Sequence, residues 1–156
     1  MDKVSAIREQ VGSEWLPLIY REKVRTQRTR SVTLDVPARE NSISILHTLL
    51  GIELKIGNKR FPCPDLSMAR YMLVFARAGC RDFAVPYDIT RISVIADELE
   101  TSWQKMMLLL ESKCSGRSVQ ATSRIRNLLV KAIRTEIAEA GPGELMPTFA
   151  KSTRQR

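Results

Sequence analysis

Two short segments of the chain alternate strictly between apolar and polar residues, and this pattern constrains the fold more than any other feature. In residues 31–36 every second residue is apolar, and in residues 52–56 the apolar residues alternate with Glu53 and Lys55. Successive side chains of a β-strand point to opposite faces of a sheet, so each segment predicts a strand with one buried face. The chain must therefore place a β-sheet against a core.

Helical periodicity and turn residues predict the remaining elements. Residues 66–78 are almost wholly apolar, which predicts a helix buried on much of its circumference. Further helices are expected at residues 1–11, from Ser13 into the basic segment 21–30, and at 41–50, 88–113 and 118–140, and further strands at 59–63 and 82–85. Together these predict an α/β fold, with a small mixed sheet of about four short strands flanked by helices and two long C-terminal helices.

The length of 156 residues suits one domain with a real core. We expect this domain to span residues 1–145, with an α/β core at 13–86 and a helical extension at 88–140. A flexible basic tail is expected at 146–156. The sequence contains no apolar run of transmembrane length, and its first residues lack the apolar segment of a signal peptide. We therefore expect no membrane partner and a cytoplasmic location.

Cysteine and histidine usage argues against two large classes of enzyme. The spacings of Cys63, Cys80 and Cys114 match no zinc-binding pattern, and an odd count argues against a disulfide framework. His47 is the only histidine and is flanked by apolar residues. Buried reduced thiols and a structural or partly exposed histidine are the expected roles, so zinc enzymes and histidine-dependent hydrolases are disfavoured.

One group of ionisable residues could carry chemistry. If the two alternating strands pair antiparallel in one sheet, Asp35, Glu53 and Lys55 can lie on the same face. Mg²⁺ prefers one or two carboxylates together with water and phosphate oxygens, and a lysine would stabilise charge developing on a phosphate. The hypothesis makes Asp35 and Glu53 the metal ligands, Lys55 the third catalytic residue and Mg²⁺ the only cofactor. The alternative is an ordinary solvated strand face, with Asp35 opening a turn.

The sequence Glu53-Leu54-Lys55, at the end of an apolar strand, resembles the Glu-x-Lys motif of the PD-(D/E)XK nuclease superfamily. A short strand, a helix ending at Gly79 and another strand follow, as in the α-β-β-β-α-β core of that family. Residues 13–86 can be laid on this core, so the resemblance covers about half of the chain. It implies a metal-dependent endonuclease that acts on DNA phosphodiesters.

The resemblance also implies roles for individual residues. Asp35 would be the acidic metal ligand on the strand before the motif, and Glu14 or Glu22 would be the acidic residue of the first helix. Residues 88–156 lie outside the resemblance and need a separate explanation.

The basic residues, which give a net charge of +8, are concentrated rather than scattered. We expect phosphate contacts from two groups, namely Arg21, Lys23, Arg25, Arg28 and Arg30 in the segment 21–30, and Arg117, Arg124, Lys131 and Arg134 on one face of the last helix. Neither group contains aromatic residues, which argues against a platform for stacking single-stranded bases. The predicted partner is DNA or another nucleic acid.

Two hypotheses of different classes follow. The first is a nucleic-acid-binding protein with a magnesium-dependent nuclease-like core. The second is a non-catalytic α/β module that binds DNA or a protein partner. In the second hypothesis, the apolar residues near the end of the helix at 88–113 could also form a homo-oligomer interface.

Overall fold

The structure, a computed structural model of the chain, describes residues 2–34 and 42–142. Within these residues five strands form two antiparallel sheets, one of two strands and one of three. Five α-helices make up most of the remainder, and the last two are the longest. The predicted α/β class and the two long C-terminal helices are confirmed, but the described strands form two small sheets rather than one.

The N-terminal helices are α1 (Lys3–Val11) and α2 (Leu16–Ile19), and α2 continues as a π-helical turn over Tyr20–Val24. Asp2 caps α1, since its side chain accepts a hydrogen bond from the third amide of the helix. Gly12 ends α1 with φ of 59°, in the region where glycine is favoured. The helix expected from Ser13 begins at Leu16, and its π-helical continuation ends at Val24, before the second half of the basic segment 21–30.

The first sheet pairs β1 (Thr29–Thr33) with β5 (Asp82–Pro86). Where β1 ends and β5 begins, the Thr33 hydroxyl donates to an Asp82 carboxylate oxygen at 2.6 Å. β1 begins two residues earlier than the predicted strand at 31–36. Residues 35–41, which include the end of that predicted strand, lie outside the described residues.

The second sheet consists of β2 (Ile43–Thr48), β3 (Gly51–Ile56) and β4 (Lys59–Cys63) in that spatial order. The strands predicted at 52–56 and 59–63 are confirmed. The helix predicted at 41–50 is wrong, because residues 43–48 pair with β3 along their whole length.

The error at 41–50 has a physical cause in the turn that joins β2 to β3. Leu49 and Leu50 occupy the turn with exposures of 106% and 96%, so neither side chain contributes to the core. The Thr48 hydroxyl holds this turn by accepting from the Leu50 amide and donating to the Gly51 carbonyl. Turn positions of this kind are usually filled by Asn, Asp or Gly, and two leucines there look like the continuation of a helical stripe.

The central helix α3 (Leu66–Arg77) packs against the second sheet on one side and against α4 (Ile89–Lys113) on another. Asp65 caps it by accepting from the Met68 amide at 2.9 Å. Every residue from Tyr71 to Ala76 is buried, which confirms the prediction of a helix enclosed on most sides.

Four aromatic rings form the centre of the core, and all four are fully buried: Tyr20, Tyr71, Phe75 and Phe83. The rings of Phe75 and Phe83 stack with centroids 4.4 Å apart. The hydroxyl of Tyr71 donates to the Ala84 carbonyl at 2.6 Å, and the hydroxyl of Tyr20 accepts from the Ala84 amide at 2.8 Å. Burial of these polar tips is therefore matched by hydrogen bonds to β5.

The last helices are α4 and α5 (Val119–Ala140), which a short turn connects. Near the end of α4, Trp103, Met106 and Leu110 are buried, whereas Leu108 is 66% exposed. Most of this apolar segment thus packs into the core of one chain, and an oligomer interface on α4 stays a prediction. In α5 only Leu129, Ile133 and Ile137 are buried.

The three cysteines are buried free thiols, as expected, and His47 is exposed on β2. Within the two described stretches, no helix combines the length and the apolar character needed to cross a membrane.

Candidate nucleic-acid interface

The predicted catalytic pair lies on the face of β3 that is turned away from the core. Leu54 and Ile56 are fully buried, and the alternation of side chains along the strand directs Glu53 and Lys55, both half-buried, to the other face. The structure therefore brings these two predicted residues to one face of the three-stranded sheet.

Glu53 already has a cationic neighbour on that face. Arg60 of β4 lies opposite Lys55, and a guanidinium nitrogen of Arg60 is 3.5 Å from Oε1 of Glu53. This oxygen is buried and makes no hydrogen bond, so the contact is an ion pair without hydrogen-bond geometry. A guanidinium beside the carboxylate disfavours a divalent cation there, because the two positive charges repel.

Asp35, the second predicted metal ligand, lies outside the described residues. The strand pairing that was expected to bring it to Glu53 is wrong. β1 pairs with β5, whereas β3 lies between β2 and β4 in the other sheet. Alternation shows that a strand has one buried face but not which strand is its neighbour. In the part of the chain that the structure covers, no group of three or more His, Cys, Asp or Glu side chains could hold a metal ion.

The acidic residues considered for the first helix face α4. Glu14 accepts a hydrogen bond from the Lys105 ammonium at 2.9 Å. Glu14 and Glu22 line a cleft together with Asp97 and Glu98 of α4. The order of elements from α2 to β5 also contains one more strand than the α-β-β-β-α-β core. The resemblance to the nuclease superfamily stays a prediction.

Three residues of the first basic segment make contacts within the molecule. Arg21 lies 4.0 Å from Glu136, and Lys23 lies 3.7 Å from Glu98. The Arg25 side chain donates to the Ala140 carbonyl at 2.9 Å and so satisfies the C-terminal end of α5. Arg25 therefore stabilises the fold, and nearby carboxylates compensate the charges of Arg21 and Lys23.

The remaining two basic residues of that segment are Arg28, just before β1, and Arg30, within it. The Arg28 guanidinium sits 4.8 Å from the centre of the Tyr87 ring, in the geometry of a cation–π contact. Arg30 is half-buried within β1, where it lies opposite Val85. The segment 21–30 is thus less available to a partner than its sequence suggests.

The second basic group has a different environment. Arg117, Arg124 and Lys131 are exposed, and Arg134 is half-buried beside a cleft that Cys80 also lines. Arg126 is exposed as well, although the sequence-based set omits it. It lies on the same side of α5 as Leu129 and Ile133, which are buried. The apolar stripe on that side begins only at Leu129, and this pattern could have identified Arg126 as exposed.

This part of the chain carries no acidic residue to balance its cations. Residues 112–135 contain no Asp or Glu, and the basic residues within them are Lys113, Arg117, Arg124, Arg126, Lys131 and Arg134. Within the described residues, no carboxylate forms an ion pair with the exposed cations of α5. We call the exposed set Arg117, Arg124 and Lys131 the α5 cationic surface.

The charges along α5 are placed against the helix dipole. The N-terminal end of a helix carries partial positive charge, yet Arg117 lies just before that end, the first turn contains no acidic residue, and Glu139 lies in the last turn. This order lowers helix stability by roughly 0.3–1 kcal/mol for each charge in a terminal turn. The dipole and the side chains together give this end of α5 a positive potential, which suits an anionic partner.

No protein-family model, curated protein or solved structure matches the chain. Its function has to be inferred from the contacts and charges described above. Of the predicted sites, the α5 cationic surface is the one whose side chains are exposed and lack acidic partners in the described structure.

Proposed function

We propose that the protein binds nucleic acid through the α5 cationic surface by contacts to the phosphate backbone. The observation that carries the proposal is a row of exposed cations in a segment without acidic residues. A surface of this kind supplies affinity by displacing the counterions of phosphate groups. Arg134 and the segment 21–30 are left as secondary contacts, because several of their side chains are engaged in the fold.

The arrangement favours a polyanion over a small anion. Arg117 lies just before α5, and Lys131 is twelve positions after Val119, the first residue of the helix, which corresponds to about 18 Å along it. That distance covers roughly five phosphates of one strand along the axis of a duplex. A small anion would need cations that converge on one point, whereas these lie in a row.

The salt dependence of binding tests this proposal. We expect the double variant Arg117→Gln/Lys131→Gln to bind duplex DNA more weakly and to reduce the slope of log affinity against log salt by about two. The matched control is Arg77→Gln/Arg91→Gln, which removes the same net charge from exposed positions on α3 and α4. Fluorescence anisotropy with a labelled duplex, measured over a range of salt concentrations, gives both slopes.

Two outcomes would contradict the proposal. Affinity of the unmodified protein that does not depend on salt would exclude binding through phosphates. Equal slopes for the two double variants would show that net charge, and not the surface of α5, determines the affinity.

A cytoplasmic location is consistent with this function. The described thiols of Cys63, Cys80 and Cys114 are free, and reducing compartments keep thiols in that state.

Cleavage of the bound nucleic acid is a second candidate function, supported by the shared face of Glu53 and Lys55. The described donors do not fit Mg²⁺ on their own, because Glu53 is the one carboxylate there and Arg60 is paired with it. We therefore assign no catalytic step. Cleavage of supercoiled plasmid that requires Mg²⁺ and disappears in Glu53→Ala would support this candidate, and equal activity in that variant would exclude it.

A further inference from the structure

The first half of α5 has no buried residue. From Val119 to Leu128 every side chain is exposed or half-buried, and the first buried residue of the helix is Leu129. Val119 and Leu128, on different sides of the helix, are 83% and 55% exposed. Ile125 of this half packs against the edge of the core, and the C-terminal half anchors the helix through the buried Leu129, Ile133 and Ile137.

The exposed face of this half carries more than cations. Gln120, Arg124, Asn127 and Lys131 follow one another at spacings of four, three and four, so they share one side of the helix. Glutamine and asparagine pair with the donor and acceptor of adenine in the major groove, and arginine pairs with the two acceptors of guanine. Contacts to phosphates alone do not require these amides.

Size and charge also fit a major groove. A helix with its side chains is about 10–12 Å wide, and the major groove of B-form DNA is about 12 Å wide. Lys131 on the same side of the helix and Arg117 in the turn before it add positive charge at the two ends of this row and can contact phosphates. The major groove of an RNA duplex is too narrow and deep to admit a helix.

We propose that the first half of α5 enters the major groove of duplex DNA and reads base edges through Gln120, Arg124 and Asn127. The proposal rests on the proposed function and adds to it the class of nucleic acid and a preference for sequence. Gln120 and Lys131 are about 16 Å apart along the helix, so one chain contacts about five base pairs.

Selection from a random duplex library tests the preference for sequence. We expect the full chain to enrich a short site and to bind it more tightly than a scrambled duplex. The double variant Gln120→Ala/Asn127→Ala should lower that preference at least about fivefold, while its salt slope stays unchanged because no charge is removed. Gln104→Ala, at an exposed glutamine of α4, is the control and should keep the full preference.

A second measurement identifies the groove. Methylation of guanine N7 blocks the major groove and should prevent binding, whereas methylation of adenine N3 in the minor groove should not. Equal affinity for an RNA duplex or a single strand of the same sequence would overturn the proposal. Binding that depends on salt but enriches no sequence would also overturn it, yet would leave the phosphate contacts of the proposed function standing. Circular dichroism of each variant confirms that the helices remain folded.

Discussion

At the scale of single residues, Tyr20 connects parts of the chain that are far apart in sequence. Its hydroxyl donates to the Gly141 carbonyl after α5 and accepts from the Ala84 amide in β5. Burial raises the pKa of Tyr20 to about 12, since the charged form would lose its hydration. One side chain of the π-helical turn after α2 thus fixes the end of α5 relative to the first sheet.

Tyr20→Phe should destabilise the protein by about 1–3 kcal/mol, because it leaves the buried Ala84 amide without an acceptor. Urea unfolding of the variant measures the change. Tyr87→Phe is the control, since that ring is half exposed and its change should stay within about 0.5 kcal/mol. Equal stability of Tyr20→Phe and the unmodified protein would show that the hydrogen bond from Ala84 is not made.

At the scale of elements, the hairpin of β2 and β3 shows where local rules and tertiary structure disagree. Ile43 and Ile45 pack against the core, whereas Leu49 and Leu50 are exposed at the turn. Residues 41–50 have apolar residues in positions that suit either a helix or a strand, so periodicity cannot decide between them. Residues 43–48 form a strand because they pair with β3, which contains the predicted strand at 52–56.

Replacing Leu49 and Leu50 by Asn should therefore leave the free energy of unfolding within about 0.5 kcal/mol of its original value. The reason is that neither leucine is removed from water on folding. Urea unfolding again provides the measurement, and Leu54→Asn, at a fully buried position of β3, is the contrasting variant that should unfold the sheet. A large loss of stability in the turn variant would mean that the leucines are covered.

Elements with a strong local signal were predicted closely. α3, α4 and α5 lie within one or two residues of their predicted positions, because capping residues and long apolar stripes are local properties. The face of α5 that bears Arg124 and Lys131 was predictable for the same reason. Engagement of Arg25 with the end of α5 was not, because Arg25 and Ala140 are far apart in the chain.

At the scale of the whole molecule, buried groups that hold protons couple stability to alkaline pH. Burial raises the pKa of the Cys80 thiol to about 12, as it does for Tyr20, and it raises the pKa of Tyr71 well above the ordinary value. These residues lie in or beside α2, α3 and β5, and Tyr20, Tyr71 and Cys80 are all buried.

The free energy of unfolding should therefore fall as pH rises from about 9 to 12. The unfolded chain releases these protons near the ordinary values of 9.0 for cysteine and 10.0 for tyrosine, whereas the folded chain keeps them until about pH 12. The stabilisation is complete below pH 9 and is lost as pH approaches the folded-state values. Urea unfolding at a series of pH values measures it, and Cys80→Ala should delay the start of the decline. Stability that stays constant up to pH 12 would contradict the prediction.

The sequence by itself determined the α/β class, the long helices, the buried character of α3 and the cationic face of α5. Each of these depends on residues that are near one another in the chain. Only the tertiary structure decided that β1 pairs with β5, that residues 43–48 form a strand and that Arg25 supports the end of α5. These outcomes depend on which distant segments become neighbours, and the alternation of side chains or the charge of a segment is compatible with more than one neighbour.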